Sequence, residues 1–335
     1  MKTTDIIVIG AGPCGLFSVF EAGLLGLKCH LVDALPVAGG QLSEIYPKKP
    51  IYDIPGIPDI LAIDLVHNLM KQIEPFKPEF TLGETAETIT KDVEGYFTLT
   101  TNRKTQIKAK VIAIAGGLGC FEPRKPQIPN LEDFEDHGVD YIIKDPEKYR
   151  GQNILISGGG DSALDWAIFL SEIAKSVFLV HRRSEFRGAQ DSVKKIKELV
   201  ALGKIKLITN AEVIELEGDG KLNSLQVKQD NSTTEKIKVD YFIPLFGLVP
   251  KLGSLVNWGL QLDKHAIIVN TIDYSTNVEG IFAIGDINTY PGKLKLILCG
   301  FHEATLMVQS AYKIIKDGKN PSFKYTTVTG INPID

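Results

Sequence analysis

DIIVIGAGPCGLFSVFEAGLLGLKCHLVDA, residues 5–34, decides the fold of this chain. A β-branched apolar run, Ile6–Ile9, enters a glycine turn. An apolar-rich helical stretch follows, and a second strand ends on Asp33. Gly10-Ala11-Gly12-Pro13-Cys14-Gly15 fits G-x-G-x-x-G. In that pattern the glycines permit a tight turn, close backbone approach to a pyrophosphate, and helix–strand packing. The helix start supplies N–H groups and a positive dipole end to the phosphates. Asp33 lies 18 residues past Gly15, where an acid accepts hydrogen bonds from a ribose. An ordinary glycine-rich turn is the plainer reading. The two strands and the acid in register favour a dinucleotide.

The layout recurs at 153–183, NILISGGGDSALDWAIFLSEIAKSVFLVHRR. Gly158, Gly160 and Ala163, with Asp161 and Ser162 between them, form the G-x-G-x-x-A variant. Gly10 to Asp33 is 23 positions, and so is Gly158 to His181. At the acid's place stand His181, Arg182 and Arg183, with Arg187 four residues on. A basic cluster suits a 2′-phosphate, which points to NADP(H) rather than NAD. The competing reading is a solvated basic turn.

Two such units predict an α/β protein with two Rossmann-like three-layer domains. IFAIGD at 281–286 reads as a late strand ending in a turn, which a family resemblance, rather than the residues alone, assigns to the first site. The first domain is therefore expected to be split, covering 1–117 and 245–335 with a tail at 319–335. The NADP domain, 118–244, is inserted in it. Helices are expected near 62–74 and 300–317.

Composition narrows the class. Hydrophobic residues at 44% and charged residues at 23% exclude disorder and a coiled coil. The longest apolar runs are strand-length, so no transmembrane helix is expected. A net charge of −4 argues against a general nucleic-acid binder. Cys14, Cys29, Cys120 and Cys299 form no C-x-x-C, so neither a local zinc site nor a dithiol is written, and no metal is expected. Met1–Thr4 lead straight into a strand without a secretory pattern, giving a cytoplasmic expectation with reduced thiols.

Across residues 7 to about 310, GAGPCG, GGQL at 39–42, GGGDSA, HRR with FR at 186–187, and IFAIGD together resemble the thioredoxin reductase branch of the two-dinucleotide flavoproteins. That enzyme carries a C-x-x-C just before GGGDSA, and this chain has none. Without a redox thiol beside a flavin, disulfide reduction is not expected. IYPKKPIYD at 45–53, AGGLGCFEPRK at 115–125, NWGL at 257–260, YPGKLK at 290–295 and KYTT at 324–327 instead resemble the thioredoxin-reductase-like ferredoxin–NADP⁺ reductases (type 2).

That resemblance implies a flavoenzyme carrying electrons between NADPH and ferredoxin through FAD. It implies that Asp33 holds the adenosine ribose and that Asp286 holds the ribityl or pyrophosphate end. Gln41, Ala86 and Phe121 would line FAD, and Cys14 would contribute backbone. Tyr46 would stack on one flavin face and Tyr325 on the other, with Thr326 or Thr327 near N5. No side-chain acid or base is required. A homodimer is expected from the resemblance alone. Alternatives are an NADPH-dependent reductase of quinones, free flavins or flavodoxin, and a non-catalytic FAD/NADP sensor. Lys48, Lys49, Arg124, Lys125, Lys293 and Lys295 are expected to form a local patch that steers an acidic ferredoxin, with scattered solvated basic residues as the competing reading.

Overall fold

The computed structural model describes residues 1–119, 122–230, 233–249, 251–321, 326 and 330–334. Its principal elements are β1 (Ile6–Ile9), α1 (Pro13–Leu24), β2 (Cys29–Asp33), β3 (Glu79–Leu82), β4 (Val111–Ile114), β5 (Asn153–Ser157), α2 (Asp161–Leu170), β6 (Ser176–His181), β7 (Ile205–Thr209), β8 (Tyr241–Pro244), β9 (Ile281–Ala283) and α3 (Ile297–Ile315). The chain forms two compact units, one of residues 1–121 with 250–335, the other of 122–249.

In the first unit five parallel strands lie in the order β9-β4-β1-β2-β3. All four residues of β1 and of β4 are buried, as strands covered on both faces must be. α1 packs against α3 and against a helix at Ala62–Ile73. A small mixed sheet, with Lys2–Thr3 parallel to Gln106–Ala109 and then Phe97–Thr101 and Ala86–Lys91 antiparallel, packs on β1 through Gln106–Ala109. The last helix starts at Ile297, three residues before the sequence-based expectation, and ends at Ile315. Asp317 takes a left-handed φ of 51°, and the Gly318 N–H reaches back to the Lys313 carbonyl.

The second unit repeats the plan with the parallel order β7-β6-β5-β8. Here the alternation along each strand makes the three layers explicit. Ile154, Ile156, Val177, Leu179 and Ile243 pack with Ala163, Leu164 and Ala167 of α2. Their neighbours Leu155, Phe178, Val180 and Phe242 pack with Val213, Leu225 and Ile237 of an antiparallel sheet. The period of two along each strand sends neighbouring side chains to opposite faces.

One buried polar pair in the first unit titrates. His30 of β2 contacts Thr81 Oγ1 through Nε2 at 2.8 Å, and its Nδ1 lies 3.6 Å from Glu79. Burial lowers its pKa from 6.5 to about 4. Between those values the unfolded chain binds the proton and the folded chain does not, so stability falls as pH drops from about 6.5 to 4. At about 1.4 kcal/mol per unit, the loss is bounded near 3 kcal/mol. Urea midpoints from pH 7 to 4.5 should decline more steeply in the wild type than in His30→Asn. Parallel curves would contradict this assignment.

Candidate functional site

Every site residue of the first unit named so far that the structure describes, apart from Ala86 and the tail's Thr326, lies at or just past the C-terminal ends of its parallel strands, or in the loops beside them. The glycine turn follows β1, Asp33 ends β2, Ala115-Gly116 follow β4, and Gly285-Asp286 follow β9. This is where open α/β sheets bind their ligands. Gly10 turns with φ +105°, and its space is closed by the Ala115 carbonyl. A Cβ on Gly15 would stand 2.0 Å from the Gly10 carbonyl oxygen, so helix and strand meet only because it is glycine.

Gly12 differs from both. A Cβ there would find only the Gly40 Cα, at 4.0 Å, so its outer side is open. Neither α1 nor α3 carries an acid in its first turn. The positive helix ends are thus left for an anion. Asp33 accepts from the Ala11 N–H at 2.6 Å and the Leu35 N–H at 2.8 Å, one on each carboxylate oxygen. Each oxygen keeps a second lone pair for a ribose hydroxyl. Burial raises its pKa, and the two backbone donors oppose that rise. An open concavity, two uncompensated helix ends and a fixed acid fit the dinucleotide.

Further along the same edge, Gln41 opens a short helix, Gln41–Glu44, and its Nε2 lies 3.5 Å from where a Gly117 Cβ would be. Burial and the charge of Asp286 push the Tyr46 hydroxyl up to about 12. Asp286 itself is raised by burial, with Lys295 and Lys293 opposing. Cys14 is packed against Gly285 and Gly300, with its thiol pushed up to about 12 by burial and by Asp286 and Glu303. It remains a neutral packing thiol. Ala86 is buried, and its carbonyl accepts from Ser254.

Glu303 was not singled out in the sequence. It is fully buried in α3. One carboxylate oxygen accepts from the Gly285 N–H at 2.7 Å and the Asn288 amide at 2.8 Å. The other accepts from the Tyr290 hydroxyl at 2.9 Å and from the Lys293 ammonium. Only the tertiary fold assembles these partners.

In the second unit, Gly158 and Gly159 are closed in by the Leu245 carbonyl and the His181 ring respectively, whereas a Cβ on Gly160 would meet nothing within 4 Å. Asp161 and Ser162 are exposed at the start of α2, and Ala163 is buried beneath the turn. Asp161 accepts from the Ala189 N–H at 2.7 Å, and the Arg187 N–H donates to the Gly159 carbonyl at 2.8 Å. Arg182, Arg183 and Arg187 are exposed. His181 is not: its ring is buried, stacked on Phe186 at 5.1 Å, and bonded to the Glu185 carbonyl. Burial and the three arginines lower its pKa. Its neutral ring props the glycine turn from below.

Phe121, Tyr325 and Thr327 lie outside the described residues, and Thr326 is exposed. Among the described residues Cys14, Cys29 and Cys299 are free thiols, and no helix is long and apolar enough to cross a membrane.

Residues 4–309 match the pyridine nucleotide-disulphide oxidoreductase family. A ferredoxin–NADP reductase of Flavobacterium johnsoniae is 63% identical over 100% of this chain and 96% of its own length. One of Nitrobacter winogradskyi is 50% identical over 97% and 95%. The chain belongs to the ferredoxin–NADP reductase family. Among solved structures it is similar to the thioredoxin reductase of Lactococcus lactis in its FR conformation, with a TM-score of 0.79 and 26% identity over 94% of this chain and 99% of that one. The fold is also that of the thioredoxin reductase of T. acidophilum, with a TM-score of 0.80 and 24% identity over 95% of this chain and 99% of that one.

Of the six basic residues expected to form a docking patch, the structure corrects Lys293. Lys293 has only 6% of its side chain exposed and is neutralised by Glu303. Lys125 pairs with Glu135 at 2.6 Å. Reversing the charge of Lys293 would break a buried pair rather than a surface contact, so it is no probe of docking.

Proposed function

We propose that this protein carries electrons between NADPH and ferredoxin through FAD. The observation that carries this reading is the pair of glycine cradles on one chain, one closed by Asp33 and the other flanked by three exposed arginines. Membership of the ferredoxin–NADP reductase family supports the acceptor, and the relatives' names supply it.

In this reading the unit of 1–121 and 250–335 holds FAD and the unit of 122–249 holds NADP(H). Gly10, Gly12, Cys14 and Gly15 present the pyrophosphate turn through backbone, and Asp33 accepts from the adenosine ribose. Asp286 and Gln41 serve the ribityl and flavin end, Ala86 and Phe121 line it, and Tyr46 stacks on the ring. Gly158, Gly160, Asp161, Ser162 and Ala163 form the second phosphate turn, supported by His181, while Arg182, Arg183 and Arg187 hold the 2′-phosphate. When bound, the two cofactors supply hydride chemistry and the change from a two-electron to a one-electron carrier. The chain orients them and needs no acid or base of its own. A cytoplasmic homodimer with ferredoxin or flavodoxin as partner completes the proposal.

The tail test is direct. If Tyr325 covers a flavin face with Thr326 or Thr327 near N5, deleting 322–335 changes the visible flavin absorbance and the rate of reduction by NADPH. An unchanged spectrum with unchanged rates would place the tail elsewhere. The acceptor is tested by comparing kcat/KM for ferredoxin, flavodoxin and a small quinone under NADPH. Ferredoxin is expected to exceed the quinone by at least about tenfold, or ~1.4 kcal/mol of transition-state discrimination. A quinone preferred over ferredoxin would replace this reading, and no turnover with any acceptor would leave a sensor.

A further inference from the structure

The Glu303–Lys293 pair lies beside the turn that carries Asp286, and Glu303 belongs to none of the sequence motifs. Both side chains are almost wholly buried. A buried ion pair is a weak source of stability, because desolvation offsets the attraction and an apolar pair of similar volume often does as well or better. What an apolar pair lacks is four hydrogen bonds accepted at one point. Glu303 gathers donors from Gly285, Asn288, Tyr290 and Lys293, which span the whole segment leading from β9 towards α3. One turn earlier on the same helix, Gly300 sits so close to Cys14 that a Cβ would stand 2.2 Å from its sulfur. α3 is therefore tied both to the Gly285–Asp286 turn and to the glycine turn of α1.

We propose that Glu303 is a positioning residue for the flavin end of the site, holding the Gly285–Asn288 turn, and with it Asp286, in the geometry that retains FAD. The inference rests on the reading of Asp286 as an FAD contact. The Lys293 ammonium neutralises the carboxylate, so that the turn is gripped without adding a net negative charge beside Asp286. The Asn288 amide donates to two acceptors, Glu303 and the Ala283 carbonyl, which fixes its orientation beside the turn.

The test uses two double variants of the holoenzyme, Glu303→Leu/Lys293→Met and Glu303→Gln/Lys293→Met. The measurements are the rate of FAD release by the rise in flavin fluorescence, the visible flavin absorbance, and Tm. The first double removes the acceptor and the charge together. It should release FAD at least about tenfold faster (~1.4 kcal/mol) and shift the flavin band, with a lowered Tm because the Gly285, Asn288 and Tyr290 donors lose their shared acceptor. The second keeps an amide oxygen for Gly285 and Asn288 and should stay within about threefold. Wild-type release and spectrum in the leucine variant would overturn the inference, as would equal loss in both doubles. Should the leucine variant not fold, Tyr290→Phe, which deletes one donor, carries the same decision. Release about threefold faster supports the role, and wild-type release overturns it. Asp286→Asn separates the two levels of the argument. If it retains FAD normally, the reading of Asp286 falls and this inference with it. If it loses FAD while the leucine variant does not, only the inference falls.

Discussion

Replacing Arg182 and Arg183 together with alanine is expected to raise the KM for NADPH on the order of a hundredfold while leaving NADH turnover within about twofold. Both side chains are exposed just past β6, and neither is engaged by a carboxylate among the described residues. They are therefore available to an incoming anion. Each charge-assisted hydrogen bond to a phosphate contributes roughly 1.5–3 kcal/mol. Two at the low end of that range give about 3 kcal/mol, or roughly a hundredfold. NADH lacks the 2′-phosphate and has no such contact to lose. Steady-state kinetics with both coenzymes decides the matter, and equal losses would mean that the arginines serve the turn rather than the phosphate. Arg187 is the less clean target, since its backbone N–H also supports the Gly159 carbonyl.

The second large effect separates folding from cofactor binding at single glycines. Gly12 has φ −74° and ψ −178°, and Gly160 has φ −100° and ψ 178°, backbone that any residue adopts. Neither position meets protein closer than 4.0 Å if a Cβ is added. Gly12→Ala and Gly160→Ala should therefore fold with near-native Tm. The new methyl group enters the space that the pyrophosphate needs. Losing two backbone contacts to an anion, at roughly 1.5 kcal/mol each, weakens binding about a hundredfold. Gly12→Ala is thus expected to lose FAD alone, and Gly160→Ala NADPH alone. Gly15→Ala is the contrast, for its Cβ would collide with backbone at 2.0 Å and the unit itself should fail to fold. Retention of both cofactors at wild-type affinity in the two outer variants would remove the cradles from the account.

These glycines explain how far the sequence could be read. Strand, turn, helix and terminal acid are local features with fixed spacing, so both βαβ units and the order of their parts were legible from 5–34 and 153–183. Burial of individual polar groups was not. His181 occupies the register position of an acid, but position along a strand does not reveal that the ring turns under Gly159 and stacks on Phe186. Lys293 reads as one of several loop lysines, and Glu303 as an unremarked helix residue. Their pairing appears only when α3 folds back on the turn after β9. Charged side chains are almost never fully buried unless paired, and the pair here spans ten residues across a loop with no local signature.

The central claim, electron transfer from NADPH through FAD to ferredoxin, is tested most directly by one sequential stopped-flow measurement. The holoenzyme is mixed anaerobically with NADPH and the visible flavin absorbance is followed. Oxidised ferredoxin is then added in the second mix. Rapid bleaching by NADPH, slow bleaching by NADH, and recovery of the band on a turnover timescale after ferredoxin is added is the predicted result. A flavin that NADPH does not bleach, or one that stays bleached with ferredoxin present and recovers only with a quinone, would contradict it.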